Sequence, residues 1–195
     1  MVVVVAPFIS DESFALMTEL PPVKSAADLA DVLRRQMPVS RKWAFFDHAA
    51  VAPISAPAAQ RLEHWMRQAV EDGDVHCAAW AAGIEQTRSA AATMINAPRE
   101  MVALVANTTA GINIVAEGFP WKPGDNVVTR SDEFPSNQYP WLHLADRGVE
   151  IRRLHCADGR LDMDELAAAC DARTRIVSIS WVTYAGGFRH DLDEL

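Results

Sequence analysis

Val102-Ala103-Leu104-Val105-Ala106-Asn107-Thr108-Thr109-Ala110-Gly111-Ile112-Asn113 passes from an unbroken apolar run into the opening of a helix. A strand that turns directly into a helix gathers unpaired backbone N–H groups and the positive end of the helix dipole at one point, and hydroxyls there add donors. Such a point can seat a phosphate. Gly111 would let the backbone approach closely, and Thr108 or Thr109 could donate through its hydroxyl. The alternative is that Asn107 or Thr108 is only an N-cap. The segment contains neither GxGxxG nor GxxxxGK[ST], so a dinucleotide or P-loop site has no support.

On either side of this stretch the pattern is that of an α/β chain. Short apolar strands are predicted at Val102 to Ala106, Asn126 to Thr129, Glu150 to Leu154 and Arg175 to Ser180. Helical segments alternate with them, the signature of crossovers on a largely parallel sheet. Thr109 to Glu117 reads as a helix ending at Gly118, and Pro123-Gly124-Asp125 as a turn. Ser136 to Arg147 reads as a helix stopped by Gly148, with Pro140 in or near its first turn. Asp162, with Glu165 three residues on, opens a helix over Met163 to Cys170. Upstream, a helix is predicted at Ala26 to Gln36 with Leu29, Val32 and Leu33 on one face and Pro38 ending it. A strand at Ala44 to Phe46 and helices from Ala56 to Val70, closed near Gly73, and from Ile84 to Ile95 follow. The reading is one N-terminal arm, residues 1–43, and one α/β domain, residues 44–195. Asp191-Leu192-Asp193-Glu194-Leu195 has the polarity of a helix's first turn, so the domain is expected to be incomplete at its C-terminus.

In an α/β sheet the loops at the carboxyl ends of the strands meet in the ligand crevice. Asp132-Glu133-Phe134-Pro135-Ser136-Asn137 is one such loop: Phe134 could stack on a flat ring, with Ser136 or Asn137 hydrogen-bonding it, or could be a core residue. Ser180-Trp181-Val182-Thr183-Tyr184-Ala185-Gly186-Gly187 is another, in which the Tyr184 hydroxyl could reach a ligand or be satisfied in the interior.

Composition narrows the classes. Half of the 195 residues are hydrophobic, and 26 acidic against 18 basic residues give a formal charge of −8. That balance argues against nucleic acid or an anionic membrane as the main partner and favours a small metabolite. Cys77, Cys156 and Cys170 form no CxxC pair and read as reduced thiols of a cytoplasmic protein. The apolar opening Val2 to Ala6 stops at Pro7 and is too short for a signal core or a membrane span. His76-Cys77 and His155-Cys156 are adjacent pairs whose side chains point apart, so no metal site is expected.

Taken together, these loops match a known pattern. From Phe45 to Leu195 the chain resembles the N-terminal portion of the class V aminotransferases and their relatives, the cysteine desulfurases, kynureninases and isopenicillin-N-epimerase-like proteins. "FFDHAAVAP" resembles the family's entry strand and loop, "NTTAGIN" its phosphate-binding turn, "DEFPSNQYPW" its cofactor-stacking loop and "TRIVSISWVTYAGG" the strand and loop beside the cofactor ring. "KPGDNVVT" fits the connection between them, and "VHCAAW" loosely resembles a segment near the substrate entrance. The resemblance implies a fold-type-I large domain, its mostly parallel sheet flanked by helices. It also implies pyridoxal 5'-phosphate (PLP) as cofactor, an amino acid as substrate and a homodimer for the complete protein.

By that resemblance Thr108 and Thr109 hold the phosphate and Phe134 lies against the pyridine ring. Desulfurases carry histidine at the stacking position, so Phe134 stands closer to the kynureninase and epimerase-like branches. Tyr184 falls where desulfurases have an asparagine near the cofactor's phenolic oxygen. His48 and Ala49 lie where the family's N-terminal loop approaches the substrate.

PLP chemistry also needs an amine for the aldehyde and an acid against the pyridine nitrogen. Lys24, Lys42 and Lys122 all read as solvated surface residues. Asp191 and Asp193 read as early-helix acids. The resemblance places both functional groups, and the desulfurase nucleophile, downstream of this chain. The expectation is a PLP enzyme acting by transamination, β- or γ-elimination, or epimerisation, with this chain alone inactive. The alternative is a non-catalytic remnant that binds a phosphate ligand or dimerises.

Overall fold

A computed structural model of the protein describes residues 25–156 and 159–191. The apolar opening at Val2, Lys24, Asp193 and the acidic end from Leu192 onward lie outside them. The chain forms two compact units that divide between Leu104 and Val105.

The first unit is helical. Helix α1, Ala26–Gln36, starts on Ser25, whose hydroxyl accepts from the Asp28 amide at 3.1 Å. It stops before Pro38, which opens a 3-10 turn over Pro38–Arg41. Of the face predicted to be apolar, Val32 is buried while Leu29 and Leu33 remain exposed. Helix α2, Ala56–Asp72, is capped by Ser55 and ends on Gly73, whose φ of +64° favours a residue without Cβ. Helix α3, Cys77–Met94, begins well before the predicted Ile84, because the alanines around Trp80 are strong helix formers. Trp80 joins α3 to α2: its indole N–H donates to Gln68 at 3.0 Å, and its ring meets Trp65 edge-on. The expected strand at Ala44 to Phe46 is irregular chain.

The second unit carries the sheet. Helix α4, Thr108–Gly118, leads through the Pro123-Gly124 turn into β1, Asn126–Arg130. Strand β2, Glu150–Leu154, helix α6, Met163–Ala169, and β3, Thr174–Ser178, follow. All pairings are parallel and the order is β2-β1-β3, with Val127 opposite both Ile151 and Ile176. Every residue of β1 is buried, as a strand flanked on both edges and covered on its faces requires. The stretch Val102–Val105 is not a strand: Val102 has extended dihedrals, but no ladder among the described residues includes it. Extended chain without a partner leaves its amides and carbonyls to other acceptors and donors, and one such carbonyl, of Val102, accepts from Arg88.

The helix expected over Ser136 to Arg147 is three short turns instead. They are a 3-10 turn at Pro135–Asn137, helix α5 at Tyr139–Leu142 and a 3-10 turn at His143–Arg147. Pro135 and Pro140 each remove a backbone donor, so no continuous ladder can form. Gly148 ends the series in the left-handed region, φ +78°, as its sequence position predicts. Asp162 caps α6 by accepting from the Asp164 and Glu165 amides. The core is Ile112, Ala116, Val127, Trp141, Leu144 and Val149, with Trp121, Ile151 and Ile176 packed against it. No described helix is long and apolar enough to cross a membrane.

The entrances of the strands are tied by charges. Asp171 accepts from the Asn126 side chain at 3.0 Å and the Arg173 amide at 2.8 Å, and pairs with Arg152 at 2.9 Å. The Arg173 amide first, and then Arg152, hold its carboxyl down to about 2. Asp125, buried before β1, accepts from the Lys122 amide and from Arg175.

Two outcomes are expected. L144A removes a fully buried side chain from the core and should cost about 3 kcal/mol in denaturant unfolding, whereas V177A, at a half-exposed residue, should cost under about 1 kcal/mol. Because the folded-state pKa of Asp171 is depressed, its contribution is present above the ordinary carboxylate range and is lost as pH falls through about 2. The difference in Tm between wild type and D171N should therefore be constant near neutrality and close in acid; a gap that persists at the acid end would refute this.

Candidate functional site

Strands β1 and β3 are parallel neighbours, so the loops that follow them leave the same edge of the sheet. From β1 the chain turns to β2 on one side, while β3 lies on the other. The two loops therefore lie at one end of the sheet, beside the strand exits where a ligand usually sits on such a fold.

The loop after β3 is a small hairpin. Val182 bridges Arg189, His190 donates its amide to the Trp181 carbonyl at 2.9 Å, and Gly187 at φ +66° makes the turn. The Thr183 amide donates to the Phe188 carbonyl, and the buried Thr183 hydroxyl accepts from the Phe188 amide at 3.0 Å. Tyr184 stands at the tip, 60% exposed, and Phe134 in the loop after β1 is 51% exposed. Their rings meet edge to face with centroids 5.3 Å apart. Neither is a core residue, so the interior alternatives for both side chains do not hold. An edge-to-face pair contributes about 1 kcal/mol beyond area burial, and this one leaves aromatic surface facing outward.

Beneath the aromatic pair lies a buried polar cluster. Arg130 ends β1 with its side chain almost wholly buried, and its guanidinium grips Asp132 at 3.0 and 2.8 Å. That grip holds the Asp132 carboxyl below the usual range. The remaining arm of Arg130 bonds His190 Nε2. Glu133, also buried, accepts from both the amide and the hydroxyl of Ser180, which fixes the loop after β1 to the exit of β3. Gln138 closes the first loop by donating to the Ser131 and Glu133 carbonyls. Asn137 Oδ1 accepts from the Ser178 hydroxyl at 2.6 Å and the Trp141 indole at 3.0 Å, so its oxygen is spent inside the protein.

Helix α4 supplies a third wall. Asn107 is its N-cap, its side chain accepting from the Ala110 amide at 2.9 Å. The exposed Thr108 and Thr109 keep their amides and hydroxyls unspent among the described residues, two of the orphan donors that every helix start carries. Gly111 is buried in the first turn. A hollow of about 330 Å³ is lined by Thr108, Ile112, Asn137, Trp141 and Ser178 among others. Thr108, Asn137 and Ser178 therefore face one space, whereas Thr109, Phe134 and Tyr184 do not line it.

The remaining candidates belong to other segments of the chain. His48 and Ala49 sit in an exposed turn of the first unit, the His48 ring 5.2 Å from that of Phe45. Lys42, in the same unit, rests its ammonium over the Trp43 ring. Lys122 belongs to the turn before β1, at the opposite end of that strand from Phe134. Cys156 is buried, which pushes its thiol up, and neighbouring His155 is exposed.

The cluster of Arg130, Glu133, Ser180 and His190 was not legible from motifs. The one available signal is an arginine directly following the Val127-Val128-Thr129 run, a position that is buried only with partners.

The Aminotransferase class-V family model matches residues 44–195. A probable cysteine desulfurase of Methanothermobacter thermautotrophicus is 29% identical over 170 residues, covering 84% of this chain and 42% of that protein. The cysteine desulfurase of Dickeya dadantii is 34% identical over 162 residues, covering 78% and 39%. Among solved structures, a C-DES mutant with glycine covalently linked to its PLP cofactor superposes with a TM-score of 0.72 at 23% identity, covering 83% of this chain and 44% of that one. The apo cysteine desulfurase of Thermococcus onnurineus NA1 gives 0.68 at 24% identity, covering 84% and 43%. These show the fold, that of the fold-type-I PLP enzymes. The chain spans about two-fifths of the length of the relatives it matches. With its parallel sheet, its loops at the strand exits and a match running from residue 44 to residue 195, this chain belongs to the aminotransferase class V family.

Proposed function

We propose that this chain forms the phosphate and ring seat of a PLP-dependent enzyme acting on an amino acid. The observation that carries the reading is the hollow lined by Thr108 at the α4 start and by Asn137, which ends the loop that carries Phe134. Bound there, PLP supplies an aldehyde for an amino group and a ring that accepts electrons.

The chain's own residues do the rest. The Thr108 and Thr109 amides and hydroxyls hold the phosphate dianion at the positive end of α4. Phe134 lies against the ring face, and Tyr184, packed on Phe134, brings a hydroxyl to the ring's rim. His48 and Ala49 approach the substrate. These residues suit transamination, elimination or epimerisation alike, because they bind and orient rather than choose the fate of the substrate's bonds. The likeness to cysteine desulfurases makes cysteine the first substrate to assay.

The chain by itself is proposed to hold PLP without the covalent link. Lys122 stands at the far end of β1, and Lys42 is engaged with Trp43. That placement also favours a second reading, a non-catalytic chain that binds a phosphate ligand or dimerises. Exposed apolar residues of the first unit, Val70, Val75, Met94 and Met101, support a homodimer for the complete protein. Free Cys77, Cys156 and Cys170 support a cytoplasmic location.

T108V/T109V removes two hydroxyl donors to a charged ligand and should weaken PLP binding by about tenfold to a hundredfold in a spectroscopic titration. Inorganic phosphate should compete with PLP in wild type; unchanged affinity in the double variant would sink the phosphate seat. Borohydride treatment with PLP, followed by peptide mapping, should label neither Lys42 nor Lys122 stably. Specific stable labelling of either contradicts the proposal that the covalent lysine is not in this chain.

A further inference from the structure

The polar cluster under the aromatic pair is costly to build. Arg130, Glu133, Thr183 and His190 are each less than one-tenth exposed, and a buried charge is tolerated only when every donor and acceptor finds a partner. Most of these bonds have an evident local purpose. The bond between Arg130 and His190 spans 60 residues and joins the exit of β1 to the base of the hairpin that carries Tyr184.

We propose that His190 is a positioning residue: as a neutral imidazole bonded to Arg130 it latches the Trp181–His190 hairpin to the end of β1 and thereby holds Tyr184 against Phe134. The proposal rests on the PLP reading only for what the aromatic pair serves.

The hydrogen-bond chemistry fixes the charge state. Arginine is a donor only, so the His190 Nε2 facing it must be the acceptor and the ring must be uncharged. Backbone geometry makes the latch transmit. His190 donates its amide to Trp181 and accepts from the Trp181 indole at 3.0 Å, closing the base of the hairpin. The Val182–Arg189 bridge and the Phe188–Thr183 bonds then carry that closure to the tip. Phe188 packs its ring edge-on against that of His190 at 5.0 Å, and the Arg160 guanidinium lies over the Phe188 ring.

The charged neighbours decide the response to acid. Arg130 faces His190 from β1, and Asp132 and Glu133 face it from the loop after β1, while the buried Cys156 thiol of the loop after β2 neighbours Arg130; Arg189 and Asp191 flank His190 in sequence. Asp132 and Glu133 favour the imidazolium, but Asp132 is gripped by Arg130 and Glu133 by Ser180, and neither bonds the ring. Burial first, then Arg130, push the imidazole below its ordinary value. The latch is therefore fully present above about pH 6.5 and is lost as pH falls through the depressed value, where an imidazolium would confront the guanidinium.

The test follows His190 by NMR from about pH 8 to about pH 5, the range over which an imidazole titrates, alongside the ring-proton NOE between Phe134 and Tyr184. His190 should titrate below the free-histidine midpoint, and the NOE should vanish with the same midpoint. H190Q, whose amide oxygen can accept from Arg130 but cannot titrate, should keep the NOE throughout. H190L should lose it at every pH and bind PLP about tenfold more weakly than H190Q at pH 8. An NOE that survives protonation of His190, or that persists in H190L with H190Q-like PLP affinity, overturns the latch. If wild type fails to bind PLP while the NOE follows His190 as described, the latch stands and the cofactor reading falls.

Discussion

Five residues, Asn126 to Arg130, carry the unit that holds the site. They pair on both edges and are buried on both faces, so nothing in the strand can relax toward water. Its centre, Val127 and Val128, is apolar, but Asn126, Thr129 and Arg130 are polar and equally hidden. Each polar residue must be answered from a neighbouring element. Asn126 is met by Asp171 and Thr174, Thr129 by the Ser178 carbonyl, and Arg130 by Asp132 and His190. The strand thus specifies its surroundings through donors and acceptors, where a wholly apolar strand would tolerate many registers.

The site inherits its shape from this constraint. Because β1 and β3 are parallel neighbours, the loops after them leave the same end of the sheet, where ligands sit on such folds. Because the exit is pinned by Arg130 and Glu133, the exposed rings of Phe134 and Tyr184 are supported by groups that cannot move independently. Helix α4 contributes in a different way: its first donors are left over by helix geometry itself, and the cap on Asn107 uses up the Ala110 amide while sparing those of Thr108 and Thr109.

What could be read from the sequence was local. Gly148, Gly73, Asp162 and Pro38 act within a few residues of themselves, and each lies at the helix boundary it predicts. The strands at Asn126, Glu150 and Thr174 were legible as short segments carrying β-branched or apolar residues between turns and helices. Two failures share a cause. Val102 to Ala106 has a strand's composition but no ladder, and Ser136 to Arg147 has a helix's composition but Pro140 within it and Pro135 just before it; propensity does not supply a hydrogen-bond partner. The aromatic pair and the phosphate turn could be singled out as types in a pattern. The cluster beneath them could not, since its bonds join residues 47 and 60 apart in sequence.

Those separations bear on how the molecule assembles. The ladder from β1 to β3 closes over 48 residues, about twice the span that brings in β2. Doubling a loop costs only about 0.6 kcal/mol in closure entropy, but non-local parallel pairing is slow to find. A chain that has paired β1 with β2 alone still offers the edge of the central strand β1, a template for another copy, until β3 covers it. The segment that ends this exposure is the one that brings Ser178, Ser180 and His190, and with them Tyr184. Quality control on the sheet and construction of the aromatic site are therefore one event: a molecule that has not finished folding has no ring platform to offer a ligand.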